Sequence, residues 1–172
     1  MRMRSLPALL LGLSLLGHPA AAEQPRPQRL GEFQSWTAAS FQEGGQKTCY
    51  AFARPTKVEG NRQGVLLTVT HRPNARDTVT ITAGYNLPRN ASPSVTVGGA
   101  TLEFYTGETA TSVIAARDGA AAVRAFRGGK EAVLKAPGAN GRGTVTDTFP
   151  LAGFGAAYDA IGKECPVGSP RR

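Results

Sequence analysis

Apolar and polar residues alternate with a period of two through most of this chain. Val65, Leu67 and Val69 fall on one face and Leu66, Thr68 and Thr70 on the other. Val79, Ile81 and Ala83 oppose Thr78, Thr80 and Thr82 in the same way. Successive side chains of a strand point to opposite sides of its sheet, so this is the pattern of strands between a core and a solvated surface. Val95 and Val97, then Leu102 and Phe104, flank Gly98-Gly99, the signature of a tight hairpin. Thr144 to Phe149 alternates again after the glycine-rich turn PGANGRG. With Phe33 to Ser40, Thr48 to Ala53 and Glu131 to Lys135, the chain predicts about eight short strands separated by Gly- and Pro-bearing turns. That arrangement points to a mainly β, antiparallel, β-sandwich-like domain.

Two segments change period and predict two short helices. Asp118 can cap a helix that runs to Arg127, with Val123 and Phe126 inward and Gly128-Gly129 as its stop. The second begins near Leu151. Phe154, Ala157, Tyr158, Ile161 and Cys165 recur at helical spacing and form one apolar face. Gly153, Gly155 and Gly162 each cost about 1 kcal/mol relative to alanine inside a helix. Such a helix needs tertiary support.

The ends of the chain bear on compartment. Arg2 and Arg4 precede an apolar run from Leu6 to Leu16, and Ala20-Ala21-Ala22 supplies a small-residue cleavage site. This is the layout of a secretory signal peptide over residues 1–22. The run is about half the roughly 20 residues that a membrane-spanning helix needs, and no later segment is long enough either. Cleavage near Ala22-Glu23 predicts a flexible arm over 23–32, one domain over 33–165 and a disordered tail over 166–172. The expected location is the periplasm, or the cell surface after secretion.

Export bears in turn on Cys49 and Cys165, the only cysteines. A structural zinc site wants four Cys or His ligands; beyond the signal the chain offers these two and one histidine, His71. No Cys-x-x-Cys redox pair occurs. A disulfide is the default for two exported cysteines, with a catalytic thiol beside His71 as the alternative. The bond would fasten the apolar face of the weak C-terminal helix to an early strand. No metal or cofactor is predicted.

Net charge is +8, and Arg2 and Arg4 leave with the signal, so +6 remains. The basic residues are scattered, with no aromatic–basic stripe and no RNA-recognition signature, so nucleic acid is not an expected partner. A diffuse positive field predicts weak attraction to anionic surfaces such as lipid headgroups or acidic glycans.

Several ordered pieces resemble one family: GEFQSWTA, KTCYAF, VTHRP at 69–73, DTVTITAGY at 77–85, VGGATLEFYT at 97–106 and GRGTVTDTFPLAGFGAAYDAIGKEC at 141–165. In order and spacing, both cysteines included, the chain resembles the invasion-associated locus B (IalB) proteins from about Phe33 to Cys165. It departs from them at Thr111-Ser112-Val113, where a tryptophan is usual, and at Asn140, where serine is usual. The resemblance implies an exported, disulfide-bonded, β-sandwich-like domain with no catalytic residues to carry over. It implies an envelope or surface binding protein whose partner is an envelope or host protein or glycan. The family name adds a role in host-cell entry.

Candidate chemistry is sparse. His71 stands before Arg72-Pro73, where it is expected to be a partly exposed strand-end residue. A triad would pair it with Asp77 or Asp147 and a serine, yet no Gly-x-Ser-x-Gly elbow occurs. Asp147 shares a face with Val145 and Phe149, and a carboxylate buried there needs a partner. By the resemblance, Arg72 and Arg142 are the candidates, which gives a binding or structural cluster of Arg72, Arg142 and Asp147. The alternative functions are an envelope enzyme or accessory factor using His71, Asp147 and Arg142, and a purely structural envelope component.

Overall fold

Eleven strands and two helices form within residues 26–107 and 111–167, the parts of the chain that the computed structural model describes. The expected signal segment, the first residues of the expected arm and residues 168–172 of the expected tail lie outside them. The strands are β1 (Gln28–Phe33), β2 (Trp36–Glu43), β3 (Gln46–Ala53), β4 (Lys57–Val58), β5 (Leu66–Arg72), β6 (Ala75–Thr82), β7 (Ser94–Val97), β8 (Ala100–Thr106), β9 (Val113–Ala116), β10 (Glu131–Pro137) and β11 (Thr144–Pro150). The helices are α1 (Gly119–Gly128) and α2 (Phe154–Glu164).

Every pairing is antiparallel, in the order β1-β2-β3-β5-β6-β9-β8-β7-β10-β11-β4. A short link forces this sheet to curl. β3 lies near one end of the order and β4 at the other, yet only residues 54–56 join them. Three residues span about 10 Å at most, so the far edge must return over the near one. The closure is hydrogen-bonded: Trp36 Nε1 donates to the Pro150 carbonyl at 3.0 Å, and Thr56 N donates to the Thr148 carbonyl at 2.8 Å. The result is the expected mainly β domain, with its core between the two halves of the curled sheet.

The alternation reads through to the core. Leu67, Val69, Val79, Ile81, Phe104, Leu134 and Phe149 are buried. The Gly98-Gly99 hairpin joins β7 to β8 as expected. Asp118 caps α1 by accepting from Ala121 N at 2.8 Å, and Val123 and Phe126 point inward.

Three expectations change. Residues 28–32, assigned to a flexible arm, are strand: β1 pairs with β2 along the sheet edge, and an edge strand with one solvated flank can be polar. The single strand expected from Phe33 to Ser40 is broken at Gln34-Ser35, where Gln34 adopts φ 53 and Ser35 N donates to the Ala152 carbonyl at 3.3 Å. The short strands β4 and β9 were not expected, since neither carries an alternating run long enough to announce itself.

α2 covers the inner face of β1, β2 and β3. Phe154 meets Trp36 edge-on at 4.9 Å between centroids and Phe126 at 5.5 Å. Its N-cap, Gly153, has φ 90, and a Cβ there would lie 1.9 Å from the Phe33 carbonyl oxygen. Only glycine permits the helix to start this close to the β1–β2 turn. At the other end the Cys49–Cys165 disulfide forms, with Cα atoms 6.0 Å apart. Arg76 Nη1 donates to the Cys165 carbonyl at 2.6 Å, and Lys47 pairs with Glu164.

A bond closing so long a loop contributes about 4–5 kcal/mol in the chain-entropy account. Reduction is expected to release α2 before the sheet: amides 154–164 should exchange with deuterium faster in reductant while those of β5 and β6 hold. Equal protection of 154–164 in both states would refute this.

Candidate functional site

Asp147 is fully buried on β11, as its alternation suggested. Its partner is neither Arg72 nor Arg142. Asp147 Oδ1 accepts from Arg62 Nη2 and from Glu59 N at 3.2 Å. Arg62 also donates to the Ala83 carbonyl through Nη1 and to the Glu59 carbonyl through Nε at 2.9 Å, and its guanidinium lies 5.2 Å from the Tyr85 ring centroid. Glu59 accepts from Thr146 N at 2.7 Å. These contacts turn the 54–64 segment into a strap clamped over β11. Asp147 Oδ2 is buried with no hydrogen-bond partner among the described residues.

Arg72 instead pairs with Glu43 at 2.9 Å on the surface, where it holds the Glu43 carboxyl below its ordinary value. Arg142 is exposed in the β10–β11 turn, and its backbone N–H donates to Asn140 Oδ1 at 3.0 Å. The expected cluster of Arg72, Arg142 and Asp147 is therefore not assembled. Arg62 was missed because it lies in a stretch that reads as plain loop; its one signal is that a buried carboxylate needs a cation from somewhere.

His71 is also corrected. It is fully buried, not partly exposed, since its position on β5 pairs with Cys49 on the inner face beneath α2. Nε2 is 3.2 Å from Asp77 Oδ1, which also accepts from the Tyr158 hydroxyl at 2.6 Å. A carboxylate partner places the proton on Nε2, and Nδ1 is left without a partner among the described residues. Burial, then the Arg76 charge, lower the His71 pKa, against a smaller opposing pull from Asp77. Burial, then the hydrogen bond to Asp77, raise that of Tyr158. The trio links β5, β6 and α2 as neutral imidazole, carboxylate and phenol. His71, Asp147 and Arg142 sit in three separate networks with no shared partner, so no enzyme-like constellation joins them.

The outer face of the sheet offers a different kind of site. Register places Thr37, Phe52, Thr68, Thr80, Ala115 and Tyr105 on one line across six strands. A second line holds Ala39, Tyr50, Thr70 and Thr78, and a third Leu66, Thr82 and Val113. None of these is charged. Tyr50 and Phe52 stack at 6.0 Å between centroids, and Tyr105 is 41% exposed. Three charge pairs border the face, Arg29 with Glu32 at 2.9 Å, Glu43 with Arg72, and Glu103 with Arg117 at 3.6 Å, and the exposed Arg54 follows Phe52 just past the end of β3.

The fold and these sites define a class: an antiparallel β domain with a disulfide-tied C-terminal helix and a sealed histidine. Within it, the model of the invasion associated locus B (IalB) protein family matches residues 36–162, and the chain belongs to that family. Among solved structures, it is similar to the crystal structure of invasion associated protein B from Bartonella henselae, with 21% identity and a TM-score of 0.56. That match covers 78% of this chain and 95% of the other. No curated protein matches the chain.

Two outcomes follow from the buried networks. Asp147→Asn keeps the shape but strands the Arg62 charge; it is expected to cost about 3–5 kcal/mol and lower Tm by roughly 10 °C. An unchanged Tm in thermal circular dichroism would show that the carboxylate is not structural. For His71, the unfolded chain takes up a proton near the ordinary value of about 6.5 while the folded protein resists it. Stability is therefore fully present above that pH, falls as pH drops through it, and levels off below the lowered folded value. Tm should fall between pH 7.5 and pH 5 more steeply in the native protein than in His71→Gln; parallel curves would overturn this.

Proposed function

We propose that this protein is an exported, non-enzymatic binding protein of the bacterial envelope or cell surface, with a rigid disulfide-tied frame that presents its loops to an envelope or host protein or glycan. The observation that carries this reading is the family match over 36–162, the greater part of the domain, joined to a closed Cys49–Cys165 bond of the kind that persists in oxidising compartments. The leader-like first 22 residues agree with it. The sealing of His71 and its distance in bonding terms from Asp147 and Arg142 argue against the enzyme alternative.

The test is made in cells. A tagged copy, cross-linked in intact cells and recovered from separated envelope fractions, should begin at Glu23 by mass spectrometry, resist thiol labelling until reduced, and carry one dominant partner. A chain that keeps its leader in the cytoplasm with free thiols would defeat the export reading. A diffuse set of abundant envelope proteins, with no enriched species, would favour a structural component.

A further inference from the structure

We propose that the Cys49–Cys165 bond and His71 form one latch on α2, in which a dithiol opens the bond more readily as acid puts a proton on the imidazole. Such a latch is independent of the function proposed above. Three observations carry it.

The first is position. Cys49 on β3 and His71 on β5 are register partners, and side chains directly opposite on neighbouring strands lie about 5 Å apart at Cβ. Both are fully buried, and Cys165 closes the bond from the C-cap of α2. The helix reaches the histidine through Tyr158, whose ring meets the imidazole edge-on at 5.0 Å between centroids. The element that seals the imidazole is therefore the one that the disulfide ties down.

The second is the orphaned ring nitrogen. Nε2 is engaged by Asp77, so a second proton goes to Nδ1, which has no partner among the described residues. A buried N–H without an acceptor is costly, and water supplies one as soon as α2 lifts. The ionisable groups facing the ring are Asp77 and Arg76 from β6 and Tyr158 from α2; β3 presents Cys49, which carries no proton while bonded. The flanking charges of β5, β3 and α2 are closed in the pairs Glu43–Arg72 and Lys47–Glu164. Asp77 is held independently of α2. It sits at φ 54 in the bulge between β5 and β6, and a Cβ at Gly119 would lie 1.7 Å from its carbonyl oxygen, so α1 packs against its backbone. Opening moves α2 and leaves His71 with its carboxylate.

The third is the chemistry of opening. Cys165 is 9% exposed and Cys49 wholly buried, so a thiolate of an incoming dithiol reaches Cys165 Sγ first. An S–S bond forms there, the Cys49–Cys165 bond breaks, and Cys49 leaves with the electron pair and takes up a proton. The second thiol of the reagent then displaces Cys165, which is protonated in turn, and the reagent closes its own disulfide. Two electrons and two protons pass from reagent to protein, so below the thiol pKa of about 8.5 this exchange by itself does not depend on pH. A proton gained by the freed imidazole, below its ordinary value of about 6.5, is the one addition. By linkage the effect is reciprocal: acid favours reduction, and reduction favours protonation.

The test is the exchange equilibrium of the purified, oxidised protein with reduced and oxidised dithiothreitol, reached from both sides with a catalytic selenol and quenched with strong acid. From pH 7.5 to pH 5.5 the equilibrium constant for reduction should rise roughly five- to tenfold, and in His71→Gln, shown folded by circular dichroism, it should stay within about twofold. In the native protein, nuclear magnetic resonance should show the His71 imidazole taking its proton at higher pH in the reduced form than in the oxidised one; this readout needs no variant. A constant that stays flat in the native protein would overturn the latch. So would a rise that the variant keeps, or an imidazole that titrates alike in both forms; the bond would then be a staple with no link to acid.

Discussion

The Cys49–Cys165 bond is the constraint on which the rest of this structure depends. A curled sheet leaves an inner face that must be covered, and over β1, β2 and β3 the cover is α2, a helix weakened by its own glycines. Phe154 supplies the apolar weight by packing against Trp36 and Phe126, but a short helix of this composition would fray if left free. The disulfide holds its far end at β3. The close approach at Gly153 sets its near end against the β1–β2 turn. Between these two points the helix seals His71 and orders Asp77 through Tyr158.

Two polar networks inside the domain follow from the same demand for closure. One ties a strap to β11 through Arg62 and Asp147; the other ties α2 to β5 and β6 through Asp77. Both join segments far apart in the chain, and both bury groups that would be expensive without partners. Neither opens to solvent in a way that brings a nucleophile, a base and an acid together. Their chemistry is that of fasteners.

Membership of the IalB family gives the fold and the broad kind of protein, while the distribution of charge gives the surface its particular character. Ion pairs exposed to water contribute little stability, so the three pairs around the outer face matter more for what they neutralise than for what they hold.

Much of this was legible in the chain. Period-two alternation marked β3, β5, β6, the β7–β8 hairpin, β10 and β11, because one face of each meets the core. Asp118 and the spacing from Phe154 to Cys165 marked the two helices, because capping and a single apolar face are local properties. The leader-like start of the chain made a disulfide the default for the two cysteines, and the structure closes it. What tertiary structure decided lies where local pattern is silent. β1 and β4 are edge strands whose polar residues form no alternating run, and they exist only because the sheet gives them a partner. His71 is buried because a helix from the far end of the chain lies over it. Arg62, rather than Arg72 or Arg142, meets Asp147 because a three-residue link folds the sheet back on itself. Sequence determines which residues need a partner; only the closure of the chain determines which partner arrives.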